Sequence, residues 1–438
     1  MPRFNWKISS VKISSVKIFI AAFVIFNLNL RPIPSGDTTP AALLPFAIAL
    51  DHSLTFDHFE PYLNIQYGGP VYFFHRHNGH LYSSYPIFPA LLLLPLYAPL
   101  LLMRHLGQWP MDQLILFARL YEKVAASLVA ASAVAVFFLL ARRLTTEGKA
   151  LVLTITFGFA TETWAISSQA LWQHGMSQLL IVLSLYCLVR EDRPWGLHGA
   201  GLFAALSIAM RPTNVLFLLI SAAVARRWKL LASYAVYGVL IGSLVAAYNF
   251  AIFQDLRGGY IQSFNGAFPD GFAGLLFSPG RGLFFYSPIL LLVFLTRSSS
   301  LPRPVWLIAV LFPIAHILLY SKWPMWWGGH CFGPRLLTDI TPCLVLLLIP
   351  ALNLPRTFGA LLALSMGVQF LGTFSYPKGL WDQTPVSIDA NPGRLWQLTD
   401  NPITSALRNG LNLPRVQIIG LLLHGEWQKA SSELPPPR

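Results

Sequence analysis

Uncharged apolar stretches recur at 124–141, 163–189, 230–254, 304–321 and 357–377, each close to or beyond the roughly 20 residues that one helical span of a bilayer needs. Their repetition predicts many spans, not one anchor. With the shorter apolar runs between them, crossings are expected near 18–30, 124–141, 150–165, 175–189, 197–210, 213–225, 230–250, 284–296, 304–320, 336–350 and 356–373. The stretch 86–103 is as apolar, but it contains Pro86, Pro89, Pro95 and Pro99. Proline lacks a backbone N–H and breaks a helix interior, so this stretch predicts helices lying in or dipping into the outer leaflet. The expected fold class is an all-α polytopic bundle of about 11 transmembrane helices.

Charge supplies the orientation. Arg3, Lys7, Lys12 and Lys17 precede the first apolar run with no acid among them, and no small-residue cleavage site stands before Arg31. This predicts an uncleaved first helix with a cytoplasmic N-terminus. Short basic turns follow at Arg142, Arg143 and Lys149, at Arg190 and Arg193, at Arg226, Arg227 and Lys229, at Arg297 and Arg303, and at Arg356. For all of them to be cytoplasmic, the chain must cross an odd number of times between 31 and 142, which agrees with an interfacial 86–103. The long segments 31–123, 251–283 and 321–335 and the tail 374–438 then lie outside, with the C-terminus. The expected organisation is one membrane domain over 1–373, with a first outside loop over 31–123 carrying the interfacial helices, and an outside tail over 374–438 ending in Pro435-Pro436-Pro437.

Composition agrees. The 438 residues are 55% apolar and only 11% charged, with a mean hydropathy of +0.55, which excludes an ordinary soluble domain. The formal charge of +13 would suggest nucleic acid in a soluble chain. In a polytopic one it marks cytoplasmic loops and contacts to lipid phosphates, so membrane lipids and not nucleic acid are the expected partners. Three cysteines without a C-x-x-C spacing exclude a disulfide scaffold and a cysteine zinc site.

Candidate chemistry clusters on the outside. In Ser35-Gly36-Asp37-Thr38-Thr39-Pro40, Thr39 is expected to cap the following helix, leaving Asp37 as an ionised carboxylate in a defined turn. Such a group suits a general base on an acceptor hydroxyl, or an Asx-turn that only shapes the loop. Asp51, Asp57 and Glu60 follow on the same loop, as metal or substrate ligands or as solvated charges. Asn78-Gly79 is a hairpin signal with His75, His77 and His80 around it. In a hairpin His75 and His77 share a side that His80 need not share, which favours a sugar- or headgroup-facing role for His80 over a three-histidine metal site. Arg211, Arg281, Arg335 and Lys322 each sit beside a helix break. A guanidinium at membrane depth needs a partner, either a ligand phosphate or a protein acid such as Asp339. Trp164, Trp172, Trp323, Trp326 and Trp327 are dense nearby, as headgroup-level anchors or as sugar-stacking faces, and Trp172-Gln173-His174-Gly175 adds hydrogen-bonding groups.

SGDTTP after the first helix, NGHLYSSYP before the proline-rich run, LWQHG, MRPT, LFSPGRGLFFYSP and WWGGHCFGPRLL resemble, in that order, a bacterial branch of the polytopic GT-C glycosyltransferases. Protein O-mannosyltransferases and the transferases that modify lipid A with aminoarabinose are more distant relatives. The resemblance covers about residues 15–373. It implies a multi-pass protein of the bacterial cytoplasmic membrane that moves a sugar, with inversion, from a polyprenyl-phosphate donor to a glycan, lipid or protein acceptor on the outer face. It further implies Asp37 as the base, and Arg211, Arg281 and Arg335 among the groups holding the lipid phosphate. No nucleotide cofactor is expected. A divalent metal stays open, because Asp37 has no acidic neighbour before Asp51. The competing expectations are a flippase or transporter of lipid-linked glycans, a polymerase or ligase of envelope polysaccharide, and an inactive scaffold.

Overall fold

The computed structural model describes residues 13–101, 106–259, 263–295, 301–376 and 380–412. Arg3, Lys7, Lys12, Arg297 and prolines 435–437 lie outside the described residues. Helix α1 (Ser15–Asn27) is capped by the Ser14 hydroxyl, which accepts from Val16 N. The first loop is itself folded: α2 (Thr39–Asp51), α3 (Glu60–Tyr67), a hairpin of β1 (Phe74–His77) and β2 (His80–Ser83), then α4 (Phe88–Leu101). Asn78 and Gly79 both have positive φ, 48° and 83°, as the tight hairpin turn requires.

The last part of the segment expected as the first loop, up to 123, is helical. Helix α5 (Met111–Leu144) starts after Pro110 and runs for 34 residues. Arg119, Glu122 and Lys123 fall in that segment and are buried, each with partners inside the protein. Arg119 Nη1 lies 2.9 Å from Glu122 Oε2. Lys123 Nζ donates to the carbonyls of Phe26 and Ser168 and to Gln169 Oε1, at 2.7, 2.9 and 2.8 Å. A buried lysine that fills all three donors in this way pins α1 and the 168–169 turn to α5.

The bundle continues with α6 (Glu147–Phe159), a π-helical turn at Thr163–Ser167, α7 (Gln173–Leu188), α8 (Pro194–Met210), α9 (Val215–Ala223) and α10 (Trp228–Phe253). Next come α11 (Phe268–Phe277), α12 (Leu283–Tyr286), α13 (Arg303–Tyr320), α14 (Thr341–Leu346), α15 (Pro355–Phe374) and α16 (Pro402–Asn409). Helices α5, α10, α13 and α15 are long and apolar enough to span a membrane alone. The crossings expected over 284–296 and 336–350 are not single α-helices. The first is the one-turn α12 followed by a 3-10 run at Pro288–Leu295, and the second is a 3-10 turn at Arg335–Ile340 leading into α14. Pro288 and Pro342 supply no N–H at those points.

Two cores hold the parts together. One runs through the bundle. The other seats the first loop on α5 and α7, with Phe46, Phe56, Phe59 and Phe73 of the loop fully buried against residues that include Ala118 and Leu180. Burying one such ring from water contributes roughly 1.5–3 kcal/mol, so the first loop is a rigid part of the fold. Helix α10, by contrast, leaves Val236, Val239, Leu240, Leu244 and Phe250 exposed, a face suited to lipid. The C-terminal segment is docked over 380–412: Leu395 O accepts from Gly280 N at 2.9 Å and from Ser278 Oγ at 2.7 Å.

Candidate active site

A cavity of about 580 Å³ opens between the first loop, α7, α10 and the 321–336 segment. Its lining includes the polar or aromatic Asp37, Tyr85, Trp172, His174, Arg211 and Arg335, and an apolar wall of Phe88, Val245, Tyr248, Phe253 and Leu256.

Asp37 sits in a 3-10 turn, Gly36–Thr38, closed by a capping box between Ser35 and Thr38. Thr39 is not the cap. It is the first residue of α2, and its hydroxyl donates to Ser35 O at 3.2 Å and accepts from Arg119 Nη2 at 2.7 Å. The expected consequence is unchanged, since Asp37's side chain is not used for capping. It is not an exposed loop carboxylate, however: only one-tenth of it is exposed. Asp37 Oδ2 lies 2.6 Å from Arg335 Nη1. Its Oδ1 accepts from the hydroxyls of Tyr72 and Tyr85, each at 2.7 Å. Burial alone would push this carboxyl up, but Arg335 and the two tyrosine hydroxyls outweigh it and hold Asp37 below the usual carboxylate range.

The tyrosines come from the hairpin. Its paired register ends at Phe74 and Ser83; Tyr72 lies two residues before β1 and Tyr85 two residues after β2, at its open end. Neither tyrosine was singled out in sequence, although Tyr85 lies in the NGHLYSSYP stretch; that stretch and its Asn78-Gly79 turn were the signal that could have found them.

Arg335 is shaped by its own loop. Gly328 and Gly329 have φ of 71° and 74°, and a Cβ on Gly328 would lie 3.2 Å from Arg335 Cγ. The double glycine thus turns tightly around the arginine stem. The Arg335 guanidinium also stacks over Trp172, 4.5 Å from the ring centroid, so that tryptophan face meets a cation. His174 is buried at the start of α7, and its Nδ1 has no hydrogen-bond partner. No side chain caps α7, so its first turn presents backbone N–H groups beside His174.

Arg211 has the protein partner foreseen as the alternative to a ligand. It pairs with Asp339 and donates to the Tyr320 hydroxyl, while still lining the cavity. Arg281 does not line it. Fully buried behind the loop, it donates to Gly280 O at 2.8 Å and Gly329 O at 3.2 Å, bracing the double-glycine turn. Lys322 is exposed and outside the lining, although its neighbour Trp323 is within it. His80 is on the hairpin, 2.7 Å from Asp57 and outside the lining. Asp51 pairs with His58 and Glu60 with Arg76, so the three further acids of the loop hold its own side chains together. Arg257, which the sequence did not single out, joins the lining and pairs with Asp255 at 2.7 Å.

Among the described residues no group of three or more His, Cys, Asp or Glu side chains is placed to hold a metal. Both Asp37 oxygens already accept from Arg335 or tyrosine. The described residues around Asp37 do not fit a resident divalent ion.

No family model matches the sequence, and no curated protein matches it. The structure is similar to the crystal structure of ArnT from Cupriavidus metallidurans in the apo state, with a TM-score of 0.51 and 15% identity. The match covers 79% of this chain and 61% of that one, so the chain spans less than two thirds of that protein's length. In its arrangement of helices the chain shares the fold of that protein, and four of its helices are long and apolar enough to cross a membrane.

Proposed function

We propose that this protein is an inverting glycosyltransferase of the bacterial cytoplasmic membrane, moving a sugar from a polyprenyl-phosphate donor to an acceptor hydroxyl on the outer face. One observation carries the reading: a single cavity joins a carboxylate, cationic side chains and an apolar wall. The apolar wall along α4 and α10 suits the lipid chain. The donor phosphate belongs between Arg335, His174 and the uncapped start of α7, where backbone N–H groups favour an anion. Asp37 takes the proton of the acceptor hydroxyl. The acceptor oxygen bonds to the anomeric carbon from the face opposite the phosphate, and the old carbon–oxygen bond breaks with its electron pair on the phosphate oxygen. Arg335 stabilises the charge that appears there. The likeness of fold to ArnT supports a transferase.

The test is a transfer assay with purified protein and a polyprenyl-phosphate sugar, beside a lipid-movement assay in vesicles. Transfer to an acceptor supports the reading. Lipid movement without transfer would replace it with the flippase.

A further inference from the structure

The arginines that line the cavity among the described residues are Arg211, Arg257 and Arg335, and each already has a carboxylate. Arg211 pairs with Asp339, Arg257 with Asp255 and Arg335 with Asp37. An incoming phosphate therefore finds no uncompensated guanidinium and has to take one from a protein acid.

The three pairs differ in what that costs. Asp339 is fully buried, and losing Arg211 would leave its charge without that counter-ion in low dielectric. Arg257 and Asp255 are neighbours on an exposed turn, with the arginine side chain 74% exposed, where water weakens what the guanidinium offers a ligand. Asp37 alone keeps two donors if its arginine leaves, because Tyr72 and Tyr85 both reach its Oδ1. Arg335 is also the cavity arginine stacked on Trp172, at the start of α7, where an anion is favoured.

We propose that Arg335 serves two anions in turn, holding Asp37 in the empty site and passing to the donor phosphate on binding, so that the base is released only when donor is present. The proposal rests on the lipid-phosphate reading above. While Arg335 holds Oδ2, the carboxylate is a poor proton acceptor. Once Arg335 has moved to the phosphate, Asp37 loses a cation and gains an anion as neighbour, and both changes strengthen it as a base. The fold thereby imposes an order, donor before acceptor chemistry, without a moving lid.

The experiment is infrared difference titration of Asp37, isolated by subtracting Asp37→Asn, with and without polyprenyl phosphate, while native mass spectrometry records lipid binding. The Asp37 midpoint should move to higher pH when the lipid binds. Arg335→Gln should show a raised midpoint without lipid and no further response, and Arg335→Lys should recover the response in part. Inorganic phosphate, which lacks the chain that the apolar wall would hold, should leave the midpoint in place at the same concentration. Lipid bound with the wild-type midpoint unmoved overturns the exchange and leaves the lipid-phosphate reading standing. Absence of lipid binding overturns both. Should Arg335→Gln fail to fold, the wild-type comparison decides alone.

Discussion

Tyr72 and Tyr85 flank the open end of the β1–β2 hairpin, and both donate to the same oxygen of Asp37, at 2.7 Å. A two-stranded hairpin thus aims two hydroxyls at a carboxylate 35 and 48 residues away in sequence. Replacing either tyrosine by Phe removes one bond to the charged form and so raises Asp37's proton affinity. The acid limb of the transfer–pH profile should move to higher pH in Tyr72→Phe and in Tyr85→Phe. The stability loss should be only about 0.5–1.5 kcal/mol per hydrogen bond, read by thermal unfolding.

Asp37→Asn keeps an oxygen for the tyrosines but removes the base. Sugar transfer should fall by roughly 10²-fold or more, the low end of general-base catalysis. Polyprenyl-phosphate binding should be retained or tighter, because Arg335 no longer has a competing carboxylate. A transfer assay run beside a binding measurement checks both, and near-normal transfer would remove Asp37 from the mechanism.

Arg211→Ala and Arg281→Ala separate two roles that look alike in sequence. Arg211→Ala leaves Asp339 buried without its counter-ion, a loss of about 3–5 kcal/mol that should appear as a lowered unfolding temperature. Arg281→Ala removes donors to Gly280 O and Gly329 O and loosens the turn around Arg335. Its effect on donor binding should therefore be weaker than that of Arg335→Ala, a ranking that lipid-binding titrations read directly.

The docked tail carries a pH dependence. His330 lies 2.9 Å from Asp389 and 3.4 Å from Asp382. Burial opposes its charge, but the two aspartates outweigh it and raise its pKa to about 9, while Asp382, despite its own burial, is brought down to about 2 by His330 and Arg281. The imidazolium's contribution is complete below the ordinary histidine value and is lost as pH rises through about 9. The Asp382 contribution is present above the ordinary carboxylate value and is lost as pH falls through about 2. Limited proteolysis of 380–412 should accelerate on the alkaline side, and His330→Gln should show the faster cleavage already at neutral pH.

If the chain crosses eleven times from a cytoplasmic N-terminus, the C-terminus lies outside. A reporter active only in the cytoplasm, fused after Arg438, should be silent. An active fusion would overturn both the crossing count and an interfacial position for 86–103.

The sequence alone determined what depends on local pattern. Long uncharged runs demand a bilayer, and Asn78-Gly79 demands a tight turn. It also marked Asp37, Arg335, Trp172, His174 and Arg211, which the fold gathers around one cavity. Only the tertiary structure decided which charges answer which. Arg119, Glu122 and Lys123 looked like the end of a loop because local reading counts charges, not partners, and their partners Phe26, Thr39, Ser168, Gln169 and Leu171 are distant in the chain. Arg281 and Arg335 both follow a proline and a glycine closely in the chain, yet one meets two backbone carbonyls and the other a carboxylate. Hydrophobic period and turn chemistry act over a few residues and can be read from the chain. Electrostatic pairing acts through space at about 3 Å, and it exists only after packing has brought distant segments to that distance.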